Sequence, residues 1–183
     1  MTNRIRTALI CAALLWAAPT AARADGTFTV WLGTNFANEP ADGRTAFGFT
    51  GTAMSGGVIG AEVDFGYSPS FFGEENQFGN NNVITFVGNL IVGIPLGGTS
   101  GPSIRPYVTG GGGLIRSKID LLSTDISSND FGIDGGGGVM IFFSDRVGLR
   151  GDLRYFRTGF GDFNFFNFDS VDFWRAYVGL TIR

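Results

Sequence analysis

Hydrophobic and polar residues alternate with period two along most of this chain. In VGLRGDLRYFR (147–157), Val147, Leu149, Gly151, Leu153 and Tyr155 share one face. Gly148, Arg150, Asp152, Arg154 and Phe156 share the other. In 58–67, Ile59, Ala61, Val63, Phe65 and Tyr67 oppose Gly60, Glu62, Asp64 and Gly66. Such alternation predicts β-strands with two unlike faces. The same reading predicts strands at 27–36, 45–54, 83–94, 131–143 and 173–183. In the last two, Asp134 and Arg175 lie opposite the bulky apolar face. An eighth strand, 104–117, contains the run Gly110 to Gly113, which leaves its parity open.

The connections between these segments are 37–44, 55–57, 68–82, 95–103, 118–130, 144–146 and 158–172. Long and short links alternate, although 95–103 is longer than a tight turn. Alternating link lengths place long loops at one rim of a sheet and short turns at the other, as in a transmembrane barrel. Segments of roughly ten residues also suit tilted strands that cross a bilayer. The expected fold is all-β, an eight-stranded antiparallel up-and-down transmembrane β-barrel.

Composition sharpens this picture. Residues 1–24 read as a cleaved signal peptide, leaving 25–183 as the barrel domain. Arg4 and Arg6 precede an apolar run at 8–18 that is too short to span a bilayer, and Ala22-Arg23-Ala24 is a small-x-small cleavage signal. Cys11 lies inside the apolar run behind Ile10, which argues against lipidation and leaves 25–183 without cysteine. No disulfide framework is therefore expected. The formal charge is −3 for the 183 residues; without Arg4, Arg6 and Arg23 it becomes 10 minus 16, or −6. That balance disfavours nucleic-acid binding. The 30 glycines and 19 phenylalanines disfavour helices and favour strands.

Which face meets lipid follows from the charges. Glu62, Asp64, Asp134, Arg150, Asp152, Arg154 and Arg175 all lie opposite the bulky apolar side chains. Four acids and three arginines are nearly balanced, as a sealed interior requires. These seven are the expected interior charge network, structural or pore-lining. Eight strands enclose a space that side chains can fill, so a paired plug is the favoured reading. A small porin-like channel for ions or small solutes is the alternative. A soluble periplasmic lipocalin-like carrier is the reading from another class. Tyr67, Tyr155 and Trp174 near strand ends suit an interfacial aromatic belt.

GAEVDFGYSP (60–69), IRPYVTGGGG (104–113) and FGIDGGGGVMIFFSDRVGLRGDLRYFR (131–157) resemble the outer-membrane β-barrel proteins of the OmpA-like/OmpX-like superfamily. The resemblance implies a barrel in the outer membrane of a diderm bacterium, with termini in the periplasm and long loops outside. It carries the barrel domain alone, with no peptidoglycan-binding domain expected. It departs from the pattern at Arg183, where such barrels commonly carry an aromatic residue.

Candidate chemistry is sparse. The Gly110–113 and Gly135–138 runs lack the Gly-Lys-Ser/Thr of a phosphate loop. They read instead as strand positions that leave room for Arg150, Arg154 or Phe142. Enzymatic outer-membrane barrels rely on a catalytic histidine, and this sequence has no histidine. No catalytic residue, cofactor or metal site is therefore expected, and no EF-hand spacing occurs. The expected partners are outer-membrane lipid and lipopolysaccharide, and an extracellular ligand through 68–82, 118–130 and 158–172. Phe160, Phe163, Phe165, Phe166 and Phe168 in the last of these are candidate surface contacts. Packing against 70–82 is the favoured reading for them. A monomer is expected.

Overall fold

The eight segments form eight strands that close on themselves. A computed structural model describes residues 24–36, 43–69, 71, 81–121, 124–158 and 172–183. The strands are β1 (Ala24–Phe36), β2 (Arg44–Ser55), β3 (Ile59–Pro69), β4 (Asn81–Gly93), β5 (Ser103–Leu121), β6 (Thr124–Phe142), β7 (Val147–Thr158) and β8 (Asp172–Ile182). Each pairs antiparallel with its sequence neighbour, and β1 pairs with β8 from Phe28↔Ile182 to Phe36↔Trp174 to complete the barrel. Closure leaves no strand edge within the paired wall.

The wall is inverted relative to a soluble protein. Leu32, Leu90, Val108 and Val178 point outward and are each more than 60 % exposed, whereas Arg150, Arg154 and Asp64 are fully buried inside. A contiguous apolar exterior of this size is untenable in water and is what lipid requires. No helix among the described residues is long and apolar enough to cross a membrane; the strands do the crossing. The soluble-carrier alternative does not survive this arrangement of faces.

Two features depart from the sequence expectation. Residues 118–121 and 124–130, expected to be loop, belong to β5 and β6, whose pairing runs unbroken from Ser103↔Phe142 to Leu121↔Thr124. Ser, Asn and Asp suppress a strand reading by offering local hydrogen bonds. A two-residue link nevertheless lets the ladder continue on backbone bonding. Strand β5 also has a single parity. Ser103, Arg105, Tyr107, Thr109 and Ile115 face inward, while Ile104, Val108 and Leu114 face outward. The glycine run hides the alternation without shifting it.

The short links lie together at one rim. Gly56 (φ 57°) and Gly57 (φ 71°) are the central residues of the turn between β2 and β3, closed by Val58 N donating to Ser55 O at 3.0 Å. Positive φ at both central positions matches the right-handed twist of the flanking strands. Ser144 Oγ accepts from the amides of Arg146 and Val147 to close the turn before β7. The other rim carries 37–43, 70–80 and 159–171. Phe160, Phe163, Phe165, Phe166 and Phe168 lie outside the described residues.

Candidate functional site

The lumen is the candidate site, built in layers from the short-turn rim to the long-loop rim. At the short-turn rim, the Asp25 carboxylate bridges two guanidinium groups. Arg105 Nη2 donates to its Oδ2, and Arg183 Nε lies 3.0 Å from its Oδ1. Both arginines also lie over the Phe142 ring, at 5.7 Å and 3.7 Å from its centroid. Arg105 is on the opposite side of the barrel from β1 and β8, so this ion cluster spans the mouth. Met54, Ile91, Tyr107, Met140 and Phe142 pack together above it.

The central layer follows from strand geometry on β7. Alternate residues share a face, so Arg150, Asp152 and Arg154 stack along the inner wall. Arg150 Nη2 reaches Glu62 Oε2 at 2.6 Å and Asp152 Oδ2 at 3.1 Å, and its Nε donates to Tyr107 Oη at 2.7 Å. Tyr107 Oη in turn donates to Asp152 Oδ2. Arg154 Nη2 lies 2.6 Å from Glu62 Oε1, and its Nε donates to Asp152 Oδ1 at 2.8 Å. Its Nη1 lies 3.7 Å from Asp134 Oδ2, which accepts from Asn89 Nδ2 at 2.8 Å. Thr52 and Thr109 donate to the two oxygens of Glu62. Charge-assisted bonds of this kind hold both partners in fixed geometry.

The next layer is a second, smaller centre. Arg175 Nη1 donates to Asp64 Oδ1 at 3.2 Å, its Nη2 to Thr85 Oγ1 at 3.0 Å and its Nε to Asn35 Oδ1 at 3.0 Å. Thr50 donates to the other Asp64 oxygen at 2.7 Å. The guanidinium also lies over the rings of Trp31 and Phe156, at 5.1 Å and 4.6 Å. Toward the long-loop rim Val83, Val87, Ile115, Phe156 and Phe173 close the lumen, with Phe71 edge-on to Phe173 at 5.1 Å.

Inward glycines make the room. A Cβ on Gly66 would lie 2.6 Å from Arg175 Nη1, and one on Gly136 would lie 2.9 Å from Arg154 Cγ. One on Gly138 would lie 2.5 Å from Tyr107 Oη. Arg154 thus occupies glycine-vacated space as expected, and Phe142 fits against Gly148. Tyr107, not Arg150, lies against Gly138.

All seven expected interior charges lie in this lumen and make ion pairs there. Asp25, Arg105 and Tyr107 join the network from outside the expected set. The unresolved parity of β5 concealed Arg105 and Tyr107, and Asp25 abuts the expected leader. The origin of the charges is uneven. The carboxylates Asp25, Glu62 and Asp64 come from β1 and β3, whereas the buried arginines come from β5, β7 and β8. Among the described residues no group of three or more His, Cys, Asp or Glu is placed to hold a metal.

The expected interfacial aromatics lie on the outer wall near the long-loop rim. Tyr67 meets Phe47 edge-on at 5.4 Å, and Tyr155 lies 5.2 Å from Trp174. Tyr155 Oη donates to Asp172 Oδ2 at 2.9 Å.

A family model described as outer membrane protein beta-barrel domain matches residues 7–183. No curated protein matches the sequence significantly. Among solved structures, Neisserial surface protein A superposes with a TM-score of 0.65 at 14% identity, covering 86% of this chain and 96% of that one. The N-terminal β-barrel domain of Pseudomonas aeruginosa OprF gives 0.56 at 12% identity, covering 87% and 98%. At these identities the likeness speaks to fold.

Proposed function

The chain belongs to the outer-membrane β-barrel domain family, and from that premise we propose a closed, non-conducting barrel with a structural, envelope-integrity or surface-interaction role. The observation that carries this reading is the filled lumen. Two arginine–carboxylate centres are stacked between an ion-and-aromatic floor and an apolar cap. Breaking either centre strands a buried charge, which costs several kcal/mol, so the closed state is strongly favoured over a conducting one. In this reading the barrel acts without enzymatic chemistry, 1–24 is removed on export, both termini lie in the periplasm, the long-loop rim faces outward and the barrel works as a monomer.

Planar-bilayer recording on the refolded chain tests the closure. We expect no unitary conductance steps at moderate voltage. Regular steps in the unmodified protein would favour the small-channel reading and sink this one. The orientation is tested separately by surface protease on intact cells, with cleavage expected within 159–171 and none at the short turns.

A further inference from the structure

The short-turn mouth holds hydrogen-bond donors that its own residues leave unused. Arg183 sets its guanidinium 3.7 Å over the Phe142 ring. Guanidinium N–H groups lie in the plane of the group, so a ring beneath that plane takes none of them. Nε lies 3.0 Å from Asp25 Oδ1, whereas Nη1 and Nη2 have no hydrogen-bond partner among the described residues. Arg105 donates through Nη2 to Asp25 and has Nη1 3.7 Å from Met54 Sδ, which leaves its Nε without a partner. The hydroxyls of Thr27 and Ser103 are unpartnered as well. Strand parity puts Thr27 beside Asp25 on the inner face of β1, and Ser103 beside Arg105 on that of β5. Arg105, Thr27 and Ser103 are buried, and the Arg183 side chain is 10 % exposed, so the mouth is narrow but reachable. Buried donors are rarely left unmet. Counted over side chains, two guanidinium groups here face the one carboxylate of Asp25, while Asp145 and Arg146 on the neighbouring turn are exposed and offset each other.

We propose that this mouth is a binding site for a small carboxylate entering from the short-turn side. The free Nη1–Nη2 edge of Arg183 holds both carboxylate oxygens, and Arg105 Nε and the hydroxyls of Thr27 and Ser103 stand around them. Two parallel N–H donors on one guanidinium match a carboxylate in spacing and plane. Asp25 already shows both guanidinium groups accommodating that chemistry. One negative charge also balances the side-chain excess, which a phosphate dianion would overshoot. The site is independent of which rim faces the periplasm, and it leaves the ion pairs of the central layer untouched.

The test titrates the refolded chain in neutral detergent with sodium acetate, sodium phosphate or sodium chloride at equal ionic strength, and follows the arginine Nε–H cross-peaks by NMR. Acetate is expected to shift the peaks of Arg183 and Arg105 saturably, with half-saturation at about 1–10 mM, within reach of a ligand of about four heavy atoms. Chloride is expected to give no saturable shift. R183Q is expected to weaken acetate binding by about 10-fold or more. R183K is expected to weaken it nearly as much, because lysine keeps the charge and loses the paired donors. The double variant T27V/S103A is expected to weaken it by about threefold, with the heat-modifiable gel mobility of the wild type. Acetate shifts no larger than those of chloride overturn the site and leave its donors to water. Phosphate bound more tightly than acetate overturns the carboxylate assignment. Equal acetate binding by wild type and R183Q overturns the role of Arg183. If R183Q loses its gel shift, T27V/S103A decides in its place, and unchanged acetate binding there overturns the site.

Discussion

The two acids of β3 are held by different numbers of cations. Glu62 is shared by Arg150 and Arg154, whereas among the described residues the ion pair of Asp64 is with Arg175. Arg175→Leu is therefore expected to cost about 3–5 kcal/mol, because it strands a buried carboxylate. Arg150→Leu is expected to cost distinctly less, since Arg154 still reaches both Glu62 and Asp152. Urea midpoints in lipid vesicles compare the two, and an Arg150 variant weaker than the Arg175 variant would contradict the two-centre picture. Glycine makes a second contrast. Gly138→Val drives a methyl toward Tyr107 Oη and the Gly151 carbonyl and is expected to lose about 1–3 kcal/mol or more, whereas outward Gly51, with open space around it, accepts valine without loss. Heat-modifiable mobility and urea midpoint report both. Alternation alone named Glu62, Asp64, Arg150, Asp152, Arg154 and Arg175, because a period of two fixes a face once the strand is certain. It missed Arg105 and Tyr107, since glycines carry no hydropathy signal from which to count.

Strands β5 and β6 are 19 residues each, against 11 to 13 for the other six. Strand β4 accompanies β5 as far as Asn81↔Ile119, and β7 accompanies β6 as far as Gly132↔Thr158. Beyond Phe131 the β6 side of this hairpin is thus paired with β5 alone, whereas β5 keeps β4 beside it to within two residues of its end. Shortening the hairpin between Ser117 and Ser128, with an Asn-Gly turn, is expected to leave the barrel folded and its gel shift intact. Loss of the shift would mean that the hairpin tip is needed for the fold. Strand existence was readable here, but strand ends were not, because Ser, Asn and Asp lower the strand signal while leaving the backbone ladder free to form. Strand β4 shows the converse limit. Its inward Val83, Val87 and Ile91 are as apolar as its outward face, so hydropathy could not say that the lumen has greasy layers.

The closed barrel joins two unlike halves. The inner wall of β1–β3 contributes Asp25, Glu62 and Asp64 against Arg44, and that of β5–β8 contributes Arg105, Arg150, Arg154 and Arg175 against Asp130, Asp134 and Asp152. Alternation and link lengths were enough to predict the barrel and its inverted faces, since both follow from local spacing. The transverse split of charge was not legible, because it depends on which strands end up across the lumen from each other. On this split the first half of the sheet carries net negative charge on its inner face and the second net positive charge, so the two halves are expected to attract each other before closure. That attraction acts through solvent and is screened within about 10 Å at 0.1 M salt, whereas the finished pairs are sealed from it. Added salt is therefore expected to slow refolding into vesicles while leaving the urea midpoint of the closed barrel nearly unchanged; a midpoint that falls in step with the rate would argue against it. An uneven supply of acid and base along the chain thus serves as a recognition code between the two ends of one molecule, read once during assembly and then locked out of reach of water.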